Sequence, residues 1–281
     1  MRGCAARRPI LQSLAAAVVA AAALGFAACA SPSARIEQRA AESGLSRELI
    51  AGEPFRHVAY FRPGRDDRVL HVYLEHDGTP WIGGFRVAAD PTPREPVMLD
   101  LMVLDPAPVL YLGRPCYFGL DDPACGPQAW THRRYSAEVV QSMATALRRF
   151  LADHPHERLV FVGHSGGGAL AVLLAERFDA TVAVVTLGAN LDIDRWARLH
   201  DYSPLQGSLN PIDRPPLAAG VVQRHYVGGD DRNVPPDIVH DYARRHPGAE
   251  AIVIAGIDHA CCWRERWPGL LDGLRDPLSP R

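Results

Sequence analysis

One stretch restricts the possible folds more than any other: ERLVFVGHSGGGALAVLLAERF, running from Glu157 to Phe178. Leu159 to Gly163 reads as a strand and the apolar residues after Gly168 as a helix, with Ser165 and three consecutive glycines between them. Neither element alternates apolar with polar residues. A strand that is apolar on both sides and turns at once into an apolar helix fits a sheet covered on both faces. The rest of the chain repeats the alternation. FRHVAYFRPG and RVLHVYLEHDG are strand-like, PREPVMLDLMVL is helical, and APVLYLGRPC is strand-like again. SAEVVQSMATALRRFLADH carries Val139, Val140, Met143, Leu147 and Leu151 at helical spacing, with Ser136 and Glu138 at its start. TVAVVTLGAN, VVQRHYVGG and AEAIVIAGID read as strands, with the helical PDIVHDYARRH before the last of them and CWRERWPGLLDGL closing the chain. The expected fold class is α/β, a mostly parallel central sheet with helices on both faces. A closed barrel of such units would also alternate, but the antiparallel-looking start and the long irregular stretch at 191–216 favour an open sheet.

Composition narrows the function. The 281 residues are 47% hydrophobic and 22% charged, an ordinary globular balance sized for one large domain. A formal net charge of −2 argues against a nucleic-acid partner. The sequence contains no lysine, which removes Schiff-base chemistry and a lysine-dependent phosphate loop.

The amino end has the layout of an export signal. MRGCAARRP is positively charged, and ILQSLAAAVVAAAALGFAA is apolar and ends in small residues. A membrane-spanning anchor is the rival reading, since the apolar run approaches the roughly 20 residues that cross a bilayer. FAAC, Phe26 to Cys29, resembles the bacterial lipoprotein cleavage box, which implies a signal over 1–28 and lipidation of Cys29. Residues 29–52 then form a tether with a lead-in helix, ARIEQRAAESG, and 53–281 the functional domain. Export puts the remaining cysteines in an oxidising compartment. Cys116 and Cys125 flank the short loop YFGLDDPA, and a bridge between them is expected. Cys261 and Cys262 either pair with each other or stay reduced, and a zinc site is the other use of four cysteines, although their spacing does not favour it.

The bend itself carries the functional reading. GHSGG, Gly163 to Gly167, fits G-x-S-x-G at a strand-to-helix junction, where the serine hydroxyl is lifted above the sheet edge. A serine becomes a nucleophile only when a base takes its proton and an acceptor orients that base. Later strand ends supply both, with Asp230 and Asp231 after VVQRHYVGG and His259 after the last strand. Asp258 is a weaker rival for the acid because adjacent side chains rarely reach the needed geometry. His164 points the wrong way to serve as base for its own neighbour.

With these motifs the sequence resembles the α/β-hydrolases over nearly all of its mature length. DDRNVPP resembles the acid turn of that family, in which an aspartate precedes Val-Pro by three residues, and this selects Asp231. The resemblance implies an oxyanion site made by the backbone N–H of Gly166 and a second N–H from LEHDGTPW, at Asp77 or Gly78. It also implies a Ser165–His259–Asp231 triad acting on a small acyl substrate, a carboxylester or thioester, with an amide or peptide as the close alternative. No metal or organic cofactor is implied. The stretch 191–216 is expected to cap the site, with Trp196 and Leu205 as lining; His164 and Trp81 are expected to touch substrate. YLEHDGTPW, RPCYF, GHSGGGALA, SLNP and VGGDDRNVPP together resemble bacterial α/β-hydrolase lipoproteins of undefined substrate. A non-catalytic binding protein on the same scaffold is the rival from another class.

Overall fold

The computed structural model describes residues 31–64 and 68–278, so the expected signal and Cys29 lie outside the described residues. Helix α1 (Pro32–Glu42) begins at Ser31, whose side chain accepts from the Ala34 N–H. It leads into strands β1 (Ser46–Ala51), β2 (Arg56–Arg62) and β3 (Val69–Leu74). A two-stranded hairpin, β4 (Trp81–Ile82) and β5 (Arg86–Val87), precedes α2 (Val97–Met102) and β6 (Val109–Leu112). Four strands then follow, β7 (Arg158–His164), β8 (Thr181–Leu187), β9 (Val222–Gly228) and β10 (Ala249–Ile254). Helix α3 (Ala137–Asp153) precedes β7, α4 (Gly166–Ala175), α5 (Ile193–Leu199) and α6 (Pro236–Arg245) run between the four strands in turn, and α7 (Trp263–Leu278) follows β10.

Apart from the hairpin, the strands form one sheet in the order β1-β2-β6-β3-β7-β8-β9-β10. β2 is antiparallel to both neighbours, and every pairing from β6 to β10 is parallel. Helix α3 packs on β1 and β2, α4 on β3, β7 and β8, and α6 on β9 and β10. The uninterrupted apolar runs fall in the middle of this arrangement. β7 is buried from Leu159 to His164, and all ten residues of α4 are buried. The edge strand β10 is only partly covered. No helix among the described residues is long and apolar enough to cross a membrane.

Two segments differ from expectation. Residues 46–51, assigned to the tether, are the outer strand β1, paired with β2 from Ser46–Phe61 to Ala51–Arg56. Its polar, mostly exposed pattern is that of a sheet edge, and this masked its strand character in the sequence. The stretch 191–216 contains α5, whose start is capped by Asp192 accepting from the Arg195 N–H. Ile193, Leu205 and Ile212 join the main core.

The start of α1 is tied to the loop that follows the hairpin. Ser33 Oγ donates to Asp90 at 2.9 Å and lies 3.2 Å from the Thr92 hydroxyl. The same loop accepts the Thr79 N–H at the Pro91 carbonyl, 2.9 Å away. Cys116 and Cys125 are disulfide-bonded, as are Cys261 and Cys262, so none of the four is a free thiolate.

Candidate functional site

Ser165 stands between β7 and α4 with φ +55° and ψ −122°, a backbone conformation that non-glycine residues rarely adopt. Three backbone hydrogen bonds hold it there. Its N–H donates to Leu187 at 2.9 Å, and its carbonyl accepts from Gly168 at 3.0 Å and Asn190 at 3.1 Å. The flanking glycines are required by contact. A Cβ on Gly163 would meet the Gly167 carbonyl, and one on Gly167 would meet the Leu74 carbonyl at the end of β3.

The sheet order brings the expected partners to this bend. β8, β9 and β10 follow β7 in sequence and in space, so the loops after β9 and β10 open at the same carboxyl edge. His259 Nε2 lies 3.0 Å from Ser165 Oγ, and His259 Nδ1 lies 2.8 Å from Asp231 Oδ2. The other oxygen of Asp231 accepts from the N–H groups of Asn233 and Val234 at 2.9 and 2.8 Å. Asp231 is 3% exposed. Asp230 is exposed beside it, and the Asp258 carboxylate accepts from the Ala260 and Cys261 N–H groups, which lower its pKa. Neither rival acid faces the imidazole through any hydrogen bond of the described residues.

His164 has a task that its sequence position did not reveal. Its Nε2–H donates to the carbonyl of His259 at 2.8 Å, and that carbonyl also accepts from Trp263 Nε1 at 3.1 Å. Burial, with His259 and His76 nearby, pushes the His164 pKa well below its ordinary value, so the ring is neutral. It therefore fixes the loop that presents His259 without competing for the proton of Ser165.

For the oxyanion, the Gly166 N–H is at the first position of α4 and has no intrahelical acceptor. The two expected partners separate. The Gly78 N–H already donates to His76 Nδ1 at 3.0 Å, which corrects its assignment as a donor. The Asp77 N–H has no acceptor among the described residues. The Asp77 side chain, 16% exposed, receives Arg114 Nη2 and Arg134 Nη1, both at 2.8 Å, and the Tyr135 hydroxyl at 2.6–2.7 Å. Burial acts to raise the pKa of this carboxyl, but the two guanidinium groups and Tyr135 outweigh it and hold it at about 2.

A pocket of about 740 Å³ opens over Ser165 and His259. Trp81, His164, Trp196 and Leu205 all line it. So do Phe85, His132, Arg134, Tyr202 and Asn233, which sequence reasoning missed. Phe85 is 83% exposed and Tyr202 54% exposed, so the pocket carries uncovered aromatic surface. Of the missed groups around Asp77, only Arg114 had a sequence signal, its place just beyond the carboxyl end of a strand. Arg134 and Tyr135 lie in THRRYS, where nothing distinguishes them from solvated loop residues.

The chain has the α/β-hydrolase fold. A family model described as Lipase (class 3) matches residues 125–189, which contain the bend at Ser165. No curated protein matches the sequence. Among solved structures, a membrane phospholipase A described as a bacterial virulence factor aligns at 14% identity and TM-score 0.55, over 96% of this chain and 99% of its own. A Pyrococcus furiosus esterase aligns at 11% identity and TM-score 0.57, over 85% of this chain and 92% of its own. An alpha-beta serine hydrolase homologue from Coxiella burnetii aligns at 12% identity and TM-score 0.57, over 83% of this chain and 97% of its own. At these identities the structural likeness is one of fold alone.

Proposed function

We propose that the protein is an exported, lipid-anchored serine hydrolase that cleaves carboxylesters or thioesters through a covalent acyl-enzyme. The observation that carries this reading is the hydrogen-bonded line from Asp231 through His259 to Ser165, set at the pocket. Ser165 Oγ attacks the carbonyl carbon while His259 Nε2 takes the hydroxyl proton. Asp231, which accepts from Nδ1, keeps the lone pair of Nε2 turned to the serine and stabilises the imidazolium that forms. The tetrahedral oxyanion is met by the N–H groups of Gly166 and Asp77. Its collapse expels the alcohol or thiol, which leaves with the proton from His259. Water then enters, loses a proton to the same nitrogen and releases the acid, restoring Ser165. The aromatic lining and the similarity to lipase, esterase and phospholipase structures favour an apolar acyl group. The export-signal layout supports lipidation at Cys29.

A fluorophosphonate probe tests the chemistry. The wild-type protein is expected to be labelled and Ser165→Ala is not, with hydrolysis of p-nitrophenyl esters lost in parallel. Folded wild-type protein that resists the probe would instead identify a binding protein on this scaffold.

A further inference from the structure

We infer that Asp77, Arg114, Arg134 and Tyr135 form a positioning device that aims the Asp77 N–H at the oxyanion and places a net positive charge behind it. The inference rests on the acyl-transfer reading of Ser165 and deepens it. A carboxylate is an unwelcome neighbour for an oxyanion, yet Asp77 lies close enough that a Cβ on Gly166 would collide with its Oδ1 and with the Tyr135 hydroxyl. Two features make it tolerable. Every side-chain oxygen is engaged: Oδ1 by Arg114 and Tyr135, Oδ2 by Arg134 and Tyr135. Two guanidinium groups also stand against one carboxylate, and arginine does not lose its proton.

The partners come from separate parts of the chain, and each is anchored elsewhere. Arg114 follows β6 and also donates from Nε and Nη2 to the Glu75 carbonyl at 3.3 and 3.4 Å. Arg134 precedes α3 and donates from Nε to Thr131 at 2.6 Å. Tyr117 closes the arrangement by donating to the backbone carbonyl of Asp77 at 2.8 Å. The side chain and the carbonyl of residue 77 are therefore both held, which restricts how its backbone can turn. Arg114 is 4% exposed and its Nη1 has no partner among the described residues. Burying two such cations around one loop is costly for a purely structural anchor. The cost is understandable where a charge develops during reaction, because a preset positive field in a dry site lowers the energy of that charge.

The test compares Arg134→Lys, Arg134→Met and Tyr135→Phe with the wild type, using a p-nitrophenyl ester and phenylboronic acid, whose boron accepts Ser165 Oγ to give a tetrahedral mimic. Arg134→Met is expected to lower kcat about 10- to 100-fold and weaken the boronate by a similar factor, with KM within about threefold. Arg134→Lys is expected to restore part of both, and Tyr135→Phe to lose both to a smaller degree. Unfolding midpoints identify any variant that has lost its fold; Tyr135→Phe, which removes only a hydroxyl, then carries the comparison. Folded variants with unchanged kcat and boronate affinity overturn the inference, and so does a fall in kcat with unchanged boronate affinity. A wild-type protein that neither turns over esters nor reacts with fluorophosphonate removes the acyl-transfer reading itself, and this inference with it.

Discussion

Asp230 and Asp231 are adjacent in sequence and opposite in consequence. Only Asp231 turns inward from the end of β9, where two backbone N–H groups hold one oxygen and leave the other for His259. Buried histidines show the same dependence on surroundings. Burial lowers the pKa of His57 to about 4, against its bond to the Gly113 carbonyl, and that of His225 to about 3, with His246 adding to the effect. Such a group binds a proton more readily in the unfolded chain, whose histidines titrate near 6.5. Its contribution to stability is thus whole above about pH 6.5 and declines as the pH falls toward the folded value. Each of these two histidines is expected to cost on the order of 2 kcal/mol between pH 7 and pH 5. The low pKa of Asp77 acts in a more acidic window, from near 3.8 down to about 2, and does not add to this slope. Urea unfolding at the two pH values measures it; equal stabilities would show that these rings are not held neutral by the fold.

At the level of elements, the junction of β7 and α4 tolerates little change. Gly167 faces the carbonyls of Leu74 and Glu75 where β3 ends. Gly167→Ala is expected to destabilise the protein by about 1–3 kcal/mol through overpacking, read as a lower urea midpoint at unchanged slope. The strain at Ser165 and these close contacts explain why the junction could be recognised from sequence: few residues other than glycine fit, so the pattern is forced. Asp231 and His259 were legible for another reason, the chain order that placed both after strand ends. What escaped recognition was held by distance, not by pattern. Arg114 and Arg134 are 20 residues apart in sequence, and nothing local records that they meet at Asp77. β1 escaped for the opposite reason, since an exposed edge strand needs no apolar run. The hairpin β4–β5 is too short for periodicity to register, although it brings Trp81 and Phe85 to the pocket.

For the whole molecule, the order of the sheet decides what can meet. Six parallel strands gather their exits at one rim, so residues from four separate loops, at 77, 165, 231 and 259, share one pocket or its supports. The proposed anchor concerns the chain as a unit too. Expressed in a bacterium, the full-length protein is expected to partition with membranes and to be released into the soluble fraction by Cys29→Ser. Equal membrane association of the two forms would favour a spanning segment over a lipid.

The outer strand β1 and the grip of Ser33 on the 90–92 loop bear on how this protein can be handled. Starting a recombinant chain at residue 53 would uncover the long apolar border of β2, inviting neighbouring molecules to stack against it. It would also release a brace that reaches Thr79 beside the reaction chamber. Soluble versions should therefore keep everything from Ser31 onward, even though residues 31–52 lie far from Ser165 in sequence and contribute no side chain to its chemistry.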